Sequence, residues 1–201
     1  REHLGDTRLH WPMLRNIVFM GMGEPLLNFS EVMRSLQSLN SDKGLNFSPR
    51  RITVSTCGIE KNLKELGECG LAFLAVSLHA PNQELRARIM PKAARWPLDR
   101  LMATLQSYSL NTRERITFEY LLLGGVNDDE IADFVDLTRE HPWQVRFIER
   151  MPMGCGKDFG TYLPSQAVLN RCPELEAVSH DGVAACYRLP DAKGTVGLIA
   201  P

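Results

Sequence analysis

Several short segments of this chain combine residue types that can hold a charged or hydroxylated ligand. Gly21-Met22-Gly23-Glu24-Pro25 sets two glycines before a carboxylate. Glycine lets backbone approach a ligand closely, and a carboxylate or backbone carbonyl beside it can hold an ammonium group. The same residues also read as a tight turn, because proline after Glu24 favours the first turn of a helix. Ser55 and Ser77 offer hydroxyls for a carboxylate or a sugar, or are plain strand-end serines. His79 can donate to a hydroxyl oxygen or sit as a satisfied imidazole. Asn127, in Gly-Val-Asn-Asp, can read the edge of a base or cap a helix. Met151 can border a ligand or fill space in a core. Arg86, Arg88, Lys92, Arg95 and Arg100, with Trp96 among them, can meet nucleic-acid phosphates and a base face, or form a solvated surface.

Cysteine chemistry is less promising. The five cysteines, Cys57, Cys69, Cys155, Cys172 and Cys186, are odd in number and contain no CxxC pair. That argues against a disulfide framework and suits a reducing, cytoplasmic setting. They read as buried or incidental thiols. No metal site is assigned, and residue types alone identify no catalytic residue.

The segments fall on a regular scaffold. Apolar or β-branched runs at Asn16–Met20, Arg51–Ser55, Leu71–Leu78, Arg115–Leu122 and Gln144–Ile148 read as strands. Between them, amphipathic stretches at Phe29–Leu39, Glu60–Leu66, Asn82–Ile89, Leu98–Ser107 and Asp128–Arg139 read as helices. Strand–helix alternation implies parallel βαβ units, whose ligands sit at the C-terminal ends of the strands. The glycine, serine, histidine, asparagine and methionine segments all fall at those ends. Glycine- and polar-rich turns are also ordinary in such folds, so the rhythm alone does not decide between a site and plain turns. After Gly154 the rhythm breaks. Gly154–Gly160 reads as a mobile loop and Ser165–Asn170 as a short helix. Val183–Leu189 and Thr195–Ile199 read as strands joined by a turn at Pro190–Gly194.

Length and charge set limits. A chain of 201 residues carries one core and not clearly two. A formal net charge of −1 supplies no global attraction to nucleic acid, so RNA contact requires a local patch. No apolar run reaches the ~20 residues of a membrane span, and no membrane partner is expected. Arg1-Glu2-His3-Leu4-Gly5-Asp6 has no apolar signal core and no starting methionine, as in a fragment.

Two families resemble these segments. Asn16–Asn28, Arg51–Thr56, Ala75–Asn82 and Phe118-Glu119-Tyr120 resemble, in order, radical S-adenosylmethionine (SAM) enzymes. Residues 14–127 are most similar to the 23S rRNA adenine C-2 methyltransferases and their C-8 relatives. Val126–Ile131, Val145–Pro152 and Lys193–Ile199 resemble the GTP 3′,8-cyclase of molybdenum-cofactor synthesis, so residues 125–201 take on that second likeness.

The resemblance implies an α/β fold: a partial parallel (β/α) barrel of the radical SAM type over residues 1–153. A loop and a short β-containing extension over 154–201 complete it. It implies SAM binding by Gly23, Glu24, Ser55, Ser77, Leu78, His79, Asn127 and Met151. It also implies a 4Fe-4S cluster in the full-length protein. Both families carry CxxxCxxC ahead of the Gly-Glu segment, and none precedes Gly21 here. The chain alone is therefore expected to hold no cluster and to be inactive. The leading expectation is part of a methyltransferase acting on rRNA or tRNA. A cyclase taking GTP is the alternative, and a non-catalytic remnant that binds SAM or a partner is a third. The cyclase ranks lower because its basic residue on the fourth strand is not evident in Arg115-Ile116-Thr117-Phe118-Glu119-Tyr120.

Overall fold

The computed structural model describes residues 15–110, 115–151, 159–181 and 183–200. Cys155, Pro152 and most of the glycine-rich segment at 154–160 lie outside the described residues, as does the N-terminal hexapeptide. Alternation produces the expected order: β1 (Ile17–Phe19), α1 (Phe29–Asn40), β2 (Ile52–Thr56), α2 (Glu60–Cys69), β3 (Phe73–Ser77), α3 (Gln83–Ile89), α4 (Leu98–Gln106), β4 (Ile116–Leu122), α5 (Ile131–Glu140) and β5 (Gln144–Glu149). Then follow α6 (Gln166–Arg171), β6 (Glu176–Asp181), β7 (Ala184–Arg188) and β8 (Thr195–Ile199).

The first five strands pair in parallel and in chain order. Parallel strands are covered on both faces, which is why β3 and β4 are apolar runs rather than alternating ones. Ile52, Val54, Leu74, Val76, Ile116, Phe118, Tyr120, Val145 and Phe147 are all buried. Helices cover them with one apolar stripe each: Val32 and Leu36 from α1, Leu63 and Leu66 from α2, Leu101 and Leu105 from α4. Local chemistry sets the helix ends. Asn82 caps α3 by accepting from the Leu85 N–H at 2.8 Å. Gly70, in the left-handed conformation at φ 61°, closes α2.

The C-terminal strands extend the same sheet. β8 lies parallel to β5, with Gln144 opposite Thr195 and Ile148 opposite Ile199. β7 and β6 follow antiparallel, giving the order β1-β2-β3-β4-β5-β8-β7-β6. The approach depends on Gly194, where a Cβ would lie 2.1 Å from the Trp143 carbonyl oxygen. The Gly194 N–H donates to the Thr138 carbonyl at 2.8 Å, and β8 starts in register from there. Among the described residues the sheet is open, a partial barrel, with β1 at one edge. No helix among the described residues is long and apolar enough to cross a membrane.

Candidate functional site

Because β1 to β5 are parallel, their C-terminal ends share one rim. An open cleft of about 740 Å³ lies there, within the range of about 300–1,000 Å³ usual for ligand pockets. Its wall includes Gly21, Gly23 and Glu24 after β1, Ser55, Thr56 and Cys57 at the end of β2, and Ser77 and His79 at the end of β3. Met20, Met22, Ile89, Met90 and Leu121 supply the apolar part.

Gly21 and Gly23 adopt φ of 142° and 106°, backbone that side-chain-bearing residues rarely reach. A Cβ on either would meet nothing within 4 Å. Backbone, not neighbouring packing, therefore requires these glycines, and they leave the main chain bare toward the cleft.

Glu24 has a different role from a free carboxylate. Its Oε1 accepts from the Leu26 N–H at 2.9 Å and the Thr56 hydroxyl at 2.7 Å. Its Oε2 accepts from the Cys57 N–H at 2.7 Å. It thereby caps the one-turn 3-10 helix Pro25–Asn28 and ties β1 to β2. The Glu24 carbonyl accepts from the Leu27 N–H at 3.1 Å. The segment is thus a turn with a helix-leading Glu-Pro, and it stands on the wall of the cleft.

His79 is held at φ 60°, a conformation non-glycine residues seldom take. Its N–H donates to the Glu119 carbonyl at 3.3 Å, and its carbonyl accepts from Asn127 Nδ2 at 3.1 Å. Its Nδ1 accepts from the Leu121 N–H at 3.1 Å. An imidazole accepting at Nδ1 carries its proton on Nε2, which makes Nε2 the donor. Burial, with the positive charge of Arg86 added, pushes the His79 pKa down to about 4. The ring is neutral at physiological pH.

Ser55 and Ser77 both donate to Oε2 of Glu119, at 3.1 and 2.9 Å. Glu119 lies on β4 and is 6% exposed. Sequence reasoning did not single it out as a site residue. The available signal was a lone carboxylate inside the otherwise apolar run Ile116–Leu122.

Three expected positions are placed elsewhere. Asn127 is wholly buried beneath the rim. Its amide donates to the carbonyls of His79 and Leu121, and its Oδ1 accepts from the Leu123 N–H. Leu78 is a core residue whose N–H donates to the Glu119 carbonyl. Met151, 43% exposed, lines a neighbouring hollow of about 360 Å³ that shares Ile89 and Leu121 with the cleft.

The basic stretch divides. Arg86 is completely buried and gathers the carbonyls of Cys57, Ala93 and Trp96. It cannot meet a phosphate. Arg100 pairs with Glu60 at 3.0 Å. Arg88, Lys92 and Arg95 remain exposed. Burial, then the hydrogen bond and charge of Glu24, pushes the Cys57 thiol up to about 12, so it is a poor thiolate.

Among the described residues Cys57, Cys69, Cys172 and Cys186 form no disulfide with one another. Among the described residues no three His, Cys, Asp or Glu side chains gather as a metal-holding group. These residues do not supply the three thiolates that an iron–sulfur cluster of this kind needs. The cleft does suit an amphiphilic nucleoside ligand: bare backbone at Gly21 and Gly23, an imidazole donor at His79, hydroxyls at Ser55 and Ser77, and apolar walls.

Comparison with known proteins gives the same direction. The family model of the radical SAM superfamily matches residues 7–138, which include β1 to β4 and their rim turns. The chain is 72% identical over 150 residues to the dual-specificity RNA methyltransferase RlmN of Nitratidesulfovibrio vulgaris, covering 75% of this chain and 39% of that protein. It is 39% identical to the RlmN of Phenylobacterium zucineum over 94% of this chain and 52% of that one. That alignment runs into the C-terminal residues that resemble the cyclase. The crystal structure of a radical SAM methyltransferase from Sphaerobacter thermophilus superposes with a TM-score of 0.66 at 39% identity. It covers 78% of this chain and 46% of that chain. The chain therefore spans roughly a third to a half of the length of these relatives.

Proposed function

The chain belongs to the radical SAM superfamily, and from that premise we propose that it forms the cofactor-binding part of an RNA adenine methyltransferase. The observation that carries the cofactor part of this reading is the match of residues 7–138, since every cleft strand lies inside it. The identity to proteins named as dual-specificity RNA methyltransferases supports RNA as the substrate class, and the resemblance of residues 14–127 to the 23S rRNA methyltransferases favours C-2 of an adenine as the reacting position.

Given one electron, bound SAM supplies the radical chemistry of the superfamily. The residues of this chain hold and shield it. Bare main chain at Gly21 and Gly23 admits the methionine end of the cofactor. Nε2 of His79 donates to a ribose oxygen, and its depressed pKa keeps it neutral beside a cationic ligand. Ser55 and Ser77 contact the cofactor from the ends of β2 and β3. Glu24, Leu78 and Asn127 act one step back by fixing the turns that carry these groups. Met151 borders the adjoining hollow on the β5 side. Met20 and Met22 lie exposed at the edge of the open cleft. Arg88, Lys92 and Arg95 are the local positive patch available to RNA phosphate.

The test is product analysis. The protein expressed from its full reading frame, reconstituted anaerobically, is incubated with SAM, a reductant and a 23S rRNA fragment or tRNA. Nucleosides are then resolved by mass spectrometry. Formation of 2-methyladenosine is the expected result. Cofactor cleavage with no methylated nucleoside, but with cyclised product when GTP is added, would overturn the RNA assignment in favour of the cyclase.

A further inference from the structure

Ser55 and Ser77 line the cleft, while Glu119, which receives both of their hydroxyl protons, is not part of its wall. A carboxylate is acceptor-only, and a serine hydroxyl has a single proton to give. Each serine therefore spends its proton on Glu119. What remains toward the cleft on both oxygens is lone pairs. A ligand group meeting this pair must itself be a donor. The sequence left a carboxylate and a sugar as equal alternatives for these serines, and the hydrogen bonds to Glu119 remove the first.

The charge points the same way. Glu119 is buried and forms no salt bridge with any described residue. Among the described residues its side chain is hydrogen-bonded only by the two serine hydroxyls, with Arg146 opposite it on β5, and a buried carboxylate favours donor character nearby. The position is also rigid. The Glu119 carbonyl takes the N–H groups of Leu78 and His79, which locks β4 to the turn carrying His79.

We propose that Glu119 is a positioning residue that turns Ser55 and Ser77 into a pair of hydrogen-bond acceptors, and that this pair receives a donor of the cofactor rather than its carboxylate. The inference rests on the reading that the cleft holds SAM. Two donors of the cofactor share the required chemistry, the α-ammonium and the ribose hydroxyls. Glutamine at 119 inverts the pattern, because its amide nitrogen donates to a serine and frees that serine to donate in turn.

Equilibrium dialysis of the full-reading-frame, reconstituted protein separates the possibilities. The ligands are SAM, its deaminated analogue, its 2′,3′-dideoxy analogue and decarboxylated SAM. Wild type is compared with Glu119→Gln, with melting temperature as the folding control. Glu119→Gln is expected to weaken SAM binding by about tenfold, the order of one charge-assisted hydrogen bond. The weakening should vanish with either the deaminated or the dideoxy analogue, and that analogue identifies the donor received. A loss that vanishes only with decarboxylated SAM overturns the inference, as does an equal loss for all four ligands or no loss at all. Should Glu119→Gln fail to fold, the Ser55→Ala/Ser77→Ala double variant is measured instead. It should show the same dependence on one donor-lacking analogue, and uniform loss there overturns the inference too. Wild type that binds none of the ligands would refute the cofactor reading itself, and with it this inference.

Discussion

Replacing Glu24 by alanine separates a tie within the fold from a direct ligand contact. The carboxylate accepts from Leu26 N, Thr56 Oγ1 and Cys57 N at 2.7–2.9 Å. Hydrogen bonds to a charged group contribute about 1.5–3 kcal/mol each, but they are not additive. Cys57 N sits at the edge of the open cleft, where water can replace part of what is lost, whereas Leu26 is 1% exposed. Thr56, 2% exposed, is less easily rescued, although its hydroxyl still accepts from the Gly58 N–H. The expected cost of Glu24→Ala is therefore about 2–4 kcal/mol, including the lost helix cap. For a chain of this size that lowers the melting temperature by roughly 5–15 °C. Glu24→Gln keeps one acceptor oxygen and should lose about half as much. Thermal melts by circular dichroism read the effect directly. A Glu24→Ala melt within about 2 °C of wild type, together with lost SAM affinity, would refute the account and make the side chain a ligand contact.

Stability should also fall with acidification because of His79. Its folded pKa of about 4 lies below the unfolded value near 6.5, so the unfolded state binds more protons between them. The contribution is complete above about pH 6.5 and is lost as pH falls toward 4; it is at most ~3 kcal/mol. Urea midpoints across that range should rise with pH in wild type, and His79→Gln should flatten the slope. A slope unchanged by the substitution would count against a desolvated neutral imidazole. Cys57 in the native protein should resist iodoacetamide at pH 8 yet alkylate readily in urea, since its thiol is raised to about 12. Mass spectrometry showing equal rates in the two states would contradict that. Asn127→Ala leaves the Leu123 N–H and two carbonyls without their partner and should cost about 2–4 kcal/mol by denaturant titration. A change below about 0.5 kcal/mol would show that the amide is not the strut described.

Much of this arrangement was legible in residue order, and the physical reasons are specific. Strands such as Ile52–Thr56 and Ile116–Leu122 are short apolar runs bounded by breakers, so their position and the rim turns after them could be placed without coordinates. The strand Glu176–Asp181 could not, because Glu-Ala-Val-Ser-His-Asp is too polar to carry a periodic signal and forms only by pairing with β7. The docking of β8 against β5 depends on a close approach at Gly194, which local pattern does not encode. At the candidate site, residue types marked rim side chains as candidates, but not which of their atoms remained available. Asn127 spends its polar atoms on neighbouring backbone, and Glu24 spends its own on backbone and the Thr56 hydroxyl. Arg86 looked like one member of a basic surface and is instead a buried strut. Glu119, distant in sequence from both serines, gathers them only once β2, β3 and β4 are side by side.

The central claim is that SAM occupies the rim cleft at the ends of β1 to β3, and hydrogen exchange measures this directly. The reconstituted full-reading-frame protein is exchanged with and without SAM, and the amides are followed by mass spectrometry. Protection concentrated in peptides spanning Gly21–Glu24, Ser55–Gly58 and Ser77–His79, with β6 and β7 unchanged, is the predicted result. Protection confined to the C-terminal strands, or none at saturating SAM, would contradict it.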